Sequence, residues 1–207
     1  MLHKQVDKSH YEFSQYMTKA RWCSMWHQID ELLRLAPENV LEIGPGPGLF
    51  RAVAGAFGLT VDTVDLDPEL RPTYVASATA LPLKDGAYSV VCAFQMLEHL
   101  PYEESLRAFD ELVRVSRRHV LISLPDATTV WRYLAHIPKR GTREFFLPRP
   151  RLRRPVHRFN GEHHWEIGKR GFPLEKVVRD FTRSATLTNT YRVSENSYHR
   201  FFVFSNG

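Results

Sequence analysis

VLEIGPGPGLF, residues 40–50, is the stretch on which the reading of the chain turns. A short apolar run carrying one acid, Glu42, leads into three alternating glycines, Gly44, Gly46 and Gly48, and then into helical composition from Leu49 to Phe57. A buried strand, a tight turn and a helix in this order hold nucleotides in several unrelated families. A dinucleotide needs G-x-G-x-x-G, whose third glycine lets the helix pack closely on the strand. Leu49 stands in that third place here. Glu42 at the strand end repels a pyrophosphate and favours a ligand that carries positive charge and no phosphate. Taken alone, the glycines also fit a plain strand-to-helix connection.

Working outward, LTVDTVD (59–65) reads as a second strand that ends in an acid. Asp65 stands 21 residues after Gly44, about the offset at which an acid meets ribose hydroxyls in nucleotide-binding βαβ units. Its carboxylate can accept from both hydroxyls at once, whereas Asp67 before Pro68 suits a helix cap. Further strands are expected at 39–43, 73–76, 87–94 and 119–124, with helices at 21–35, 103–115 and 173–181. In the first helix Trp22, Met25, Trp26, Ile29, Leu32 and Leu33 recur at helical spacing. Strands alternating with helices imply a parallel sheet covered on both faces. After Pro125 the pattern breaks. A short helix is expected around Thr128–His136, then a basic, proline-containing segment. The segments 185–193 and 198–204, around a polar SENS turn, read as a terminal antiparallel hairpin. The chain thus reads as one α/β domain over 1–207, with an N-terminal helical cap (1–36) and a basic lid inserted at 126–172.

With 207 residues, 43% of them hydrophobic and 25% charged, the chain has the size and composition of one soluble globular domain. No apolar run is long enough to span a bilayer. The N-terminus lacks the apolar core of a secretory signal, and Cys23 and Cys92 are too few for a disulfide scaffold. A cytoplasmic location is therefore expected. The net charge of +5 hints at an anionic partner.

VLEIGPGPG, TVDLDP, ATALPLKDGAYSVV and FQMLEHLP, in that order, resemble the motif series of class I S-adenosylmethionine-dependent methyltransferases. The likeness is nearest to the small-molecule branch called the methyltransferase-11 type, and it covers residues 38–125. It implies S-adenosylmethionine as cofactor and a Rossmann-like, doubly wound sheet of seven strands whose last is antiparallel, in keeping with the terminal hairpin. It also implies roles. Gly44 and Gly46 would meet the cofactor by backbone, Glu42 would support its amino-acid end, Asp65 would take the ribose and Leu66 would lie against the adenine. Gln95 would line the pocket near the methyl group. Where the family commonly has Asp to accept from the adenine amino group, this chain has Ser77, which leaves more of that work to the Ala78 amide.

QMLEHL (95–100) resembles the E-x-x-E-H segment of quinone-biosynthesis methyltransferases, for which a divalent metal has been inferred. Gln95 replaces the first acid and is a weak ligand for a hard cation, so no metal is expected. Methyl transfer needs alignment above all, and a hydroxyl acceptor is helped further by a base. His99, of a residue type that ordinarily titrates near neutrality, is the candidate catalytic residue. Phe94-Gln95-Met96 stands where methyltransferases of base amino groups carry N/D/S-P-P-Y/F, which argues against a DNA substrate.

Residues 138–159 are dense in arginine, with Glu144 the only acid. Interleaved aromatics and prolines suggest a packed lid, with Arg149, Arg151, Arg153 and Arg154 holding an anionic acceptor. His163 or His164 is expected to line the same pocket. The expected acceptor is a small molecule or a lipid- or sugar-linked intermediate, and peripheral contact with an anionic membrane suits the same charges. The alternative is a nucleic-acid-binding protein or RNA methyltransferase using the insertion, which the absence of a recognisable RNA module disfavours.

Overall fold

Val40–Ile43 forms β1, which is buried along its whole length and pairs in parallel with β2 (Val61–Asp65) on one side and β4 (Tyr88–Phe94) on the other. The computed structural model describes residues 16–150, 154–159 and 161–207. Outside β2 lies the short β3 (Tyr74–Val75), and beyond β4 comes β5 (Ser116–Pro125), both parallel. The sheet is completed by β9 (His199–Ser205), antiparallel to β5, and β8 (Thr186–Arg192), antiparallel to β9. The seven strands run in the order β3-β2-β1-β4-β5-β9-β8. A separate two-stranded ribbon pairs β6 (Val130–Ile137) with β7 (Gly141–Pro148).

Helices cover both faces of the large sheet, which is why its inner strands read as unbroken apolar runs. On one face Ile29 and Leu32 of α1 (Lys19–Arg34) and Phe50 and Ala54 of α2 (Leu49–Ala56) pack with Val40, Cys92, Leu121 and Val203. On the other, Phe109 and Leu112 of α3 (Tyr102–Val115) and Phe181 of α4 (Leu174–Phe181) pack with Leu41, Val91, Ile122 and Phe204. Trp165, fully buried, donates its indole N–H to Ser105 Oγ at 2.9 Å and ties the end of the insertion to α3. Among the described residues no helix is long and apolar enough to cross a membrane.

One expectation needs correction. The segment expected as a helix around Thr128–His136 is the strand β6. Val130, Trp131, Tyr133 and Ile137 are β-branched or aromatic, and such side chains fit a pleated ribbon better than a helix turn. In α1 the buried stripe is Met25, Ile29 and Leu32, while Trp22, Trp26 and Leu33 are exposed.

Candidate active site

The order of strands reverses between β1 and β4, since the chain leaves β1 toward β2 and returns on the other side of it. Ligands of open α/β sheets sit at the carboxyl ends of the strands beside such a reversal. A cleft of about 780 Å³ opens there. Glu42, Gly44, Gly46, Asp65, Leu66, Ser77, Ala78, Gln95 and His99 all line it, together with His163 from the insertion.

Gly44 is at the floor, with φ 70°, and a Cβ there would stand 2.5 Å from Met96 Cγ. Only glycine lets the backbone pass at that height. Gln95, directly after β4, is also left-handed at φ 50°; for a residue with a side chain that strain costs about 1–3 kcal/mol. It is held there by its N–H to the Ser123 carbonyl (3.0 Å) and its side-chain amide to Ser123 Oγ (3.2 Å).

Glu42 is buried, and its Oε2 has no hydrogen-bond partner among the described residues. Burial pushes its carboxyl up to about 8, against the pull of Arg51 and with a small push from Asp65. Asp65 keeps one oxygen on the Asp67 N–H at 2.9 Å, and burial raises its carboxyl as well. Two acids therefore line one wall of the cleft. A phosphate would be repelled there, whereas an ammonium and a pair of ribose hydroxyls would satisfy both. Ser77 is engaged locally, its hydroxyl 2.8 Å from Thr79 Oγ1.

Across the cleft, His99 Nδ1 lies 3.1 Å from the Glu162 carbonyl. A carbonyl only accepts, so Nδ1 carries the proton and Nε2 is the basic nitrogen of the neutral ring. The His163 ring stands edge-on to it at 5.1 Å, with Nδ1 3.1 Å from Glu166 Oε1. The Tyr198 hydroxyl donates to the same oxygen at 2.8 Å. Burial favours the acid form of Glu166, but Tyr198, His163 and Lys169 outweigh it and hold the carboxyl below its usual range. One ligand atom each of Glu98, His99 and His163 lie within 4.8 Å of one another. Two imidazoles and a carboxylate make a donor set suited to Zn²⁺ or Fe²⁺.

Sequence reading did not anticipate Tyr198 and His199, which reach the cleft from the hairpin at the far end of the chain. His199 is nearly buried, and desolvation, then Arg21 and His163, drive its ring down to about 3. It stays neutral, able to hydrogen-bond an acceptor but poorly suited to take its proton. Tyr16, Met17 and Arg21, from the expected N-terminal helical cap, also line the cleft; residues 1–15 of that cap lie outside the described part.

Of the four arginines expected there, Arg149 and Arg154 fall within the described residues, and neither lines the cleft. Arg149 lies over the Trp131 ring at 5.5 Å, and Arg154 lines a separate depression with Arg170, Gly171 and Pro173. Arg151 and Arg153 lie outside the described residues. His164 is turned away as well, its N–H on the Glu98 carbonyl at 2.8 Å and its ring against Phe159 at 4.6 Å. For Arg149 the physical reason is self-pairing: β6 and β7 satisfy each other's backbone, and its N–H extends the ribbon by donating to the Thr129 carbonyl at 3.0 Å.

The methyltransferase domain family matches residues 14–171 of the chain. An uncharacterised methyltransferase of Mycobacteroides abscessus is 27% identical over 201 residues, covering 84% of this chain and 71% of that protein. A second, from Mycobacterium sp. strain JLS, is 32% identical over 124 residues, 55% of this chain, and the match spans about half of that protein, 47%. Among solved structures, the 1,6-didemethyltoxoflavin-N1-methyltransferase of Burkholderia thailandensis, with bound 1,6-didemethyltoxoflavin and S-adenosylhomocysteine, superposes with a TM-score of 0.61. It is 14% identical, and the superposition covers 95% of this chain and 84% of that one. The chain belongs to the methyltransferase domain family and has the fold of its S-adenosylmethionine-dependent enzymes.

Proposed function

We propose that the protein transfers a methyl group from S-adenosylmethionine to a small-molecule or lipid- or sugar-linked acceptor, with His99 as the base. The observation that carries this reading is the buried carboxylate of Glu42, unpartnered at Oε2 and facing the cleft together with Asp65. Bound there, S-adenosylmethionine supplies a methyl already activated by the sulfonium, so that the methyl–sulfur bond breaks as the acceptor's lone pair forms the new one. Glu42 holds the ammonium, and Asp65 accepts from the ribose. Leu66 lies against the adenine, and the Gly44–Gly46 backbone sets the depth of the cofactor. Gln95, fixed by Ser123, shapes the wall beside the methyl. His99 Nε2 takes the acceptor's proton, while His163 and His199 orient the acceptor from the far wall. That the Burkholderia protein carries a small heterocycle beside the cofactor product supports a small-molecule acceptor on this fold.

Asp65→Ala is expected to weaken S-adenosylmethionine binding by the ~1.5–3 kcal/mol of a charge-assisted hydrogen bond. Titration calorimetry checks it. Unchanged affinity would remove Asp65 from the site, and binding of NADH in its place would remove the reading as a whole.

Donor binding should also be coupled to pH through Glu42. Its raised carboxyl means that the fold gains from the protonated form fully below about 4.5 and loses that gain as pH rises to about 8. A bound ammonium reverses the preference, so donor affinity should climb by up to tenfold per pH unit from 6 to about 8. Close to one proton should be released at pH 7. Calorimetry in two buffers of different ionisation enthalpy reads that proton directly. Glu42→Gln should abolish both the release and the pH slope.

The donor set of Glu98, His99 and His163 supports a second reading, in which a divalent ion sits beside the base. Turnover is expected to withstand chelation. If a chelator stops it and Zn²⁺ or Mg²⁺ restores it, the metal reading stands and His99 is a ligand, not a base.

A further inference from the structure

The ribbon lines no part of the cleft, and one of its faces is largely aromatic and apolar. Its pairing sets Trp131 opposite Leu147 and Tyr133 opposite Phe145. Residues directly opposite in an antiparallel pair, and every second residue along a strand, share a face. Trp131, Tyr133, Ile137, Phe145 and Leu147 therefore lie on one side, each between 39% and 47% exposed. Tyr133 and Phe145 stack at 5.3 Å with their planes 9° apart, which makes the face flat. Among the described residues no layer covers it, although an isolated two-stranded sheet ordinarily needs one for stability.

The charges around this face have one sign. Residues 130–150 contain Arg132, Lys139, Arg140, Arg143 and Arg149 against the single acid Glu144. That acid is paired with Arg132 at 3.3 Å on the opposite face. Arg143 lies on the apolar face, across from Ala135, and Lys139 and Arg140 form the turn. The guanidinium of Arg149 borders the same face over Trp131. A partner must be apolar and anionic together. A second copy of the chain would bring the same positive charges to the contact. An anionic bilayer meets both requirements, because tryptophan and tyrosine rest at headgroup depth while arginine and lysine extend to the phosphates.

We infer that the β6–β7 ribbon docks the protein on an anionic lipid bilayer. The ribbon leaves the carboxyl end of β5, the same edge of the sheet at which the cleft opens after β1, β2 and β4. Docking would bring that edge toward the membrane. The inference rests on the ribbon's own residues and holds whichever acceptor is methylated.

Cosedimentation of the full chain with vesicles tests it. Binding is expected to phosphatidylcholine mixed with phosphatidylglycerol, to fall as salt rises, and to be absent on phosphatidylcholine alone. Arg143→Gln with Arg149→Gln should weaken it by about fivefold per cation, roughly 25-fold together. Trp131→Ser, Tyr133→Ser and Phe145→Ser combined should abolish it. Calorimetric donor binding by the same variants, expected at the wild-type level because none of these residues lines the cleft, confirms that they fold. The inference is overturned if the protein ignores anionic vesicles or binds neutral ones equally, or if the variants bind as the wild type does. A dimer that disappears in the triple variant, or saturable RNA binding lost with it, would overturn it as well.

Discussion

His99→Ala is expected to lower turnover by about 10²–10⁴-fold, the usual range for a lost general base, with little change in donor affinity. The Glu162 carbonyl fixes which ring nitrogen is basic, so the loss should come from proton removal and not from misplaced cofactor. Single-turnover measurements with saturating donor separate the two, because a fall in the chemical step at constant donor affinity marks an interaction made only in the transition state. His163→Ala is the comparison. Its ring is oriented in the same manner, with Glu166 in place of the carbonyl, and it should mainly raise the acceptor KM. If His163→Ala costs more turnover than His99→Ala, the base is His163. Full turnover in both would leave alignment alone as the source of the rate.

The second large effect is on stability. Asp126 is buried at the root of the insertion, where it accepts from Arg200 Nε at 2.8 Å, Arg192 Nε at 2.9 Å and the Thr128 N–H at 3.0 Å. Burial alone would raise its carboxyl, but the two guanidinium groups outweigh it and hold the carboxyl below its usual range. The Arg192 side chain is only 4% exposed. Asp126→Ala leaves that charge with carbonyl partners alone, and breaking such a pair costs about 3–5 kcal/mol. In a domain of this size the melting temperature should fall by roughly 6–20 °C. Glu38→Gln is the control: its pair with Arg117 is 2.6 Å long but 69% and 46% exposed, and exposed pairs contribute about 0–1 kcal/mol. Comparable losses in the two variants would mean that the buried cluster carries no special weight.

What the sequence made legible was local. The strand, the glycine turn and the acid after the next strand fall within 26 residues, from Val40 to Asp65, and the chemistry they imply needs no distant partner. The His99–Glu162 contact spans 63 residues and the Tyr198–Glu166 contact 32, and no pattern in either segment points at the other. Helical periodicity located α1 but could not choose between neighbouring stripes. The sheet took Ile29 and Leu32, Met25 lines the cleft, and the larger Trp22 and Trp26 were left outside. Arginine density marked the insertion as unusual, yet density has no direction. Until Trp131 and Tyr133 are known to face Leu147 and Phe145, a lid over the cleft and a ribbon standing off it look alike in one dimension.

Glu42 has a consequence for anyone who would engineer this protein. Holding that carboxyl proton-bound at pH 7, when it would ionise in the unfolded chain, favours the fold less than its acidic-pH limit by on the order of 3 kcal/mol. A laboratory evolution scheme that rewards heat resistance alone would find relief at this position among the first. Its winners would look better by every measure of robustness, and under the proposed role of Glu42 they would have lost their grip on the methyl donor. A selection that includes the donor at each round would keep the acid and draw its gains from the surface instead.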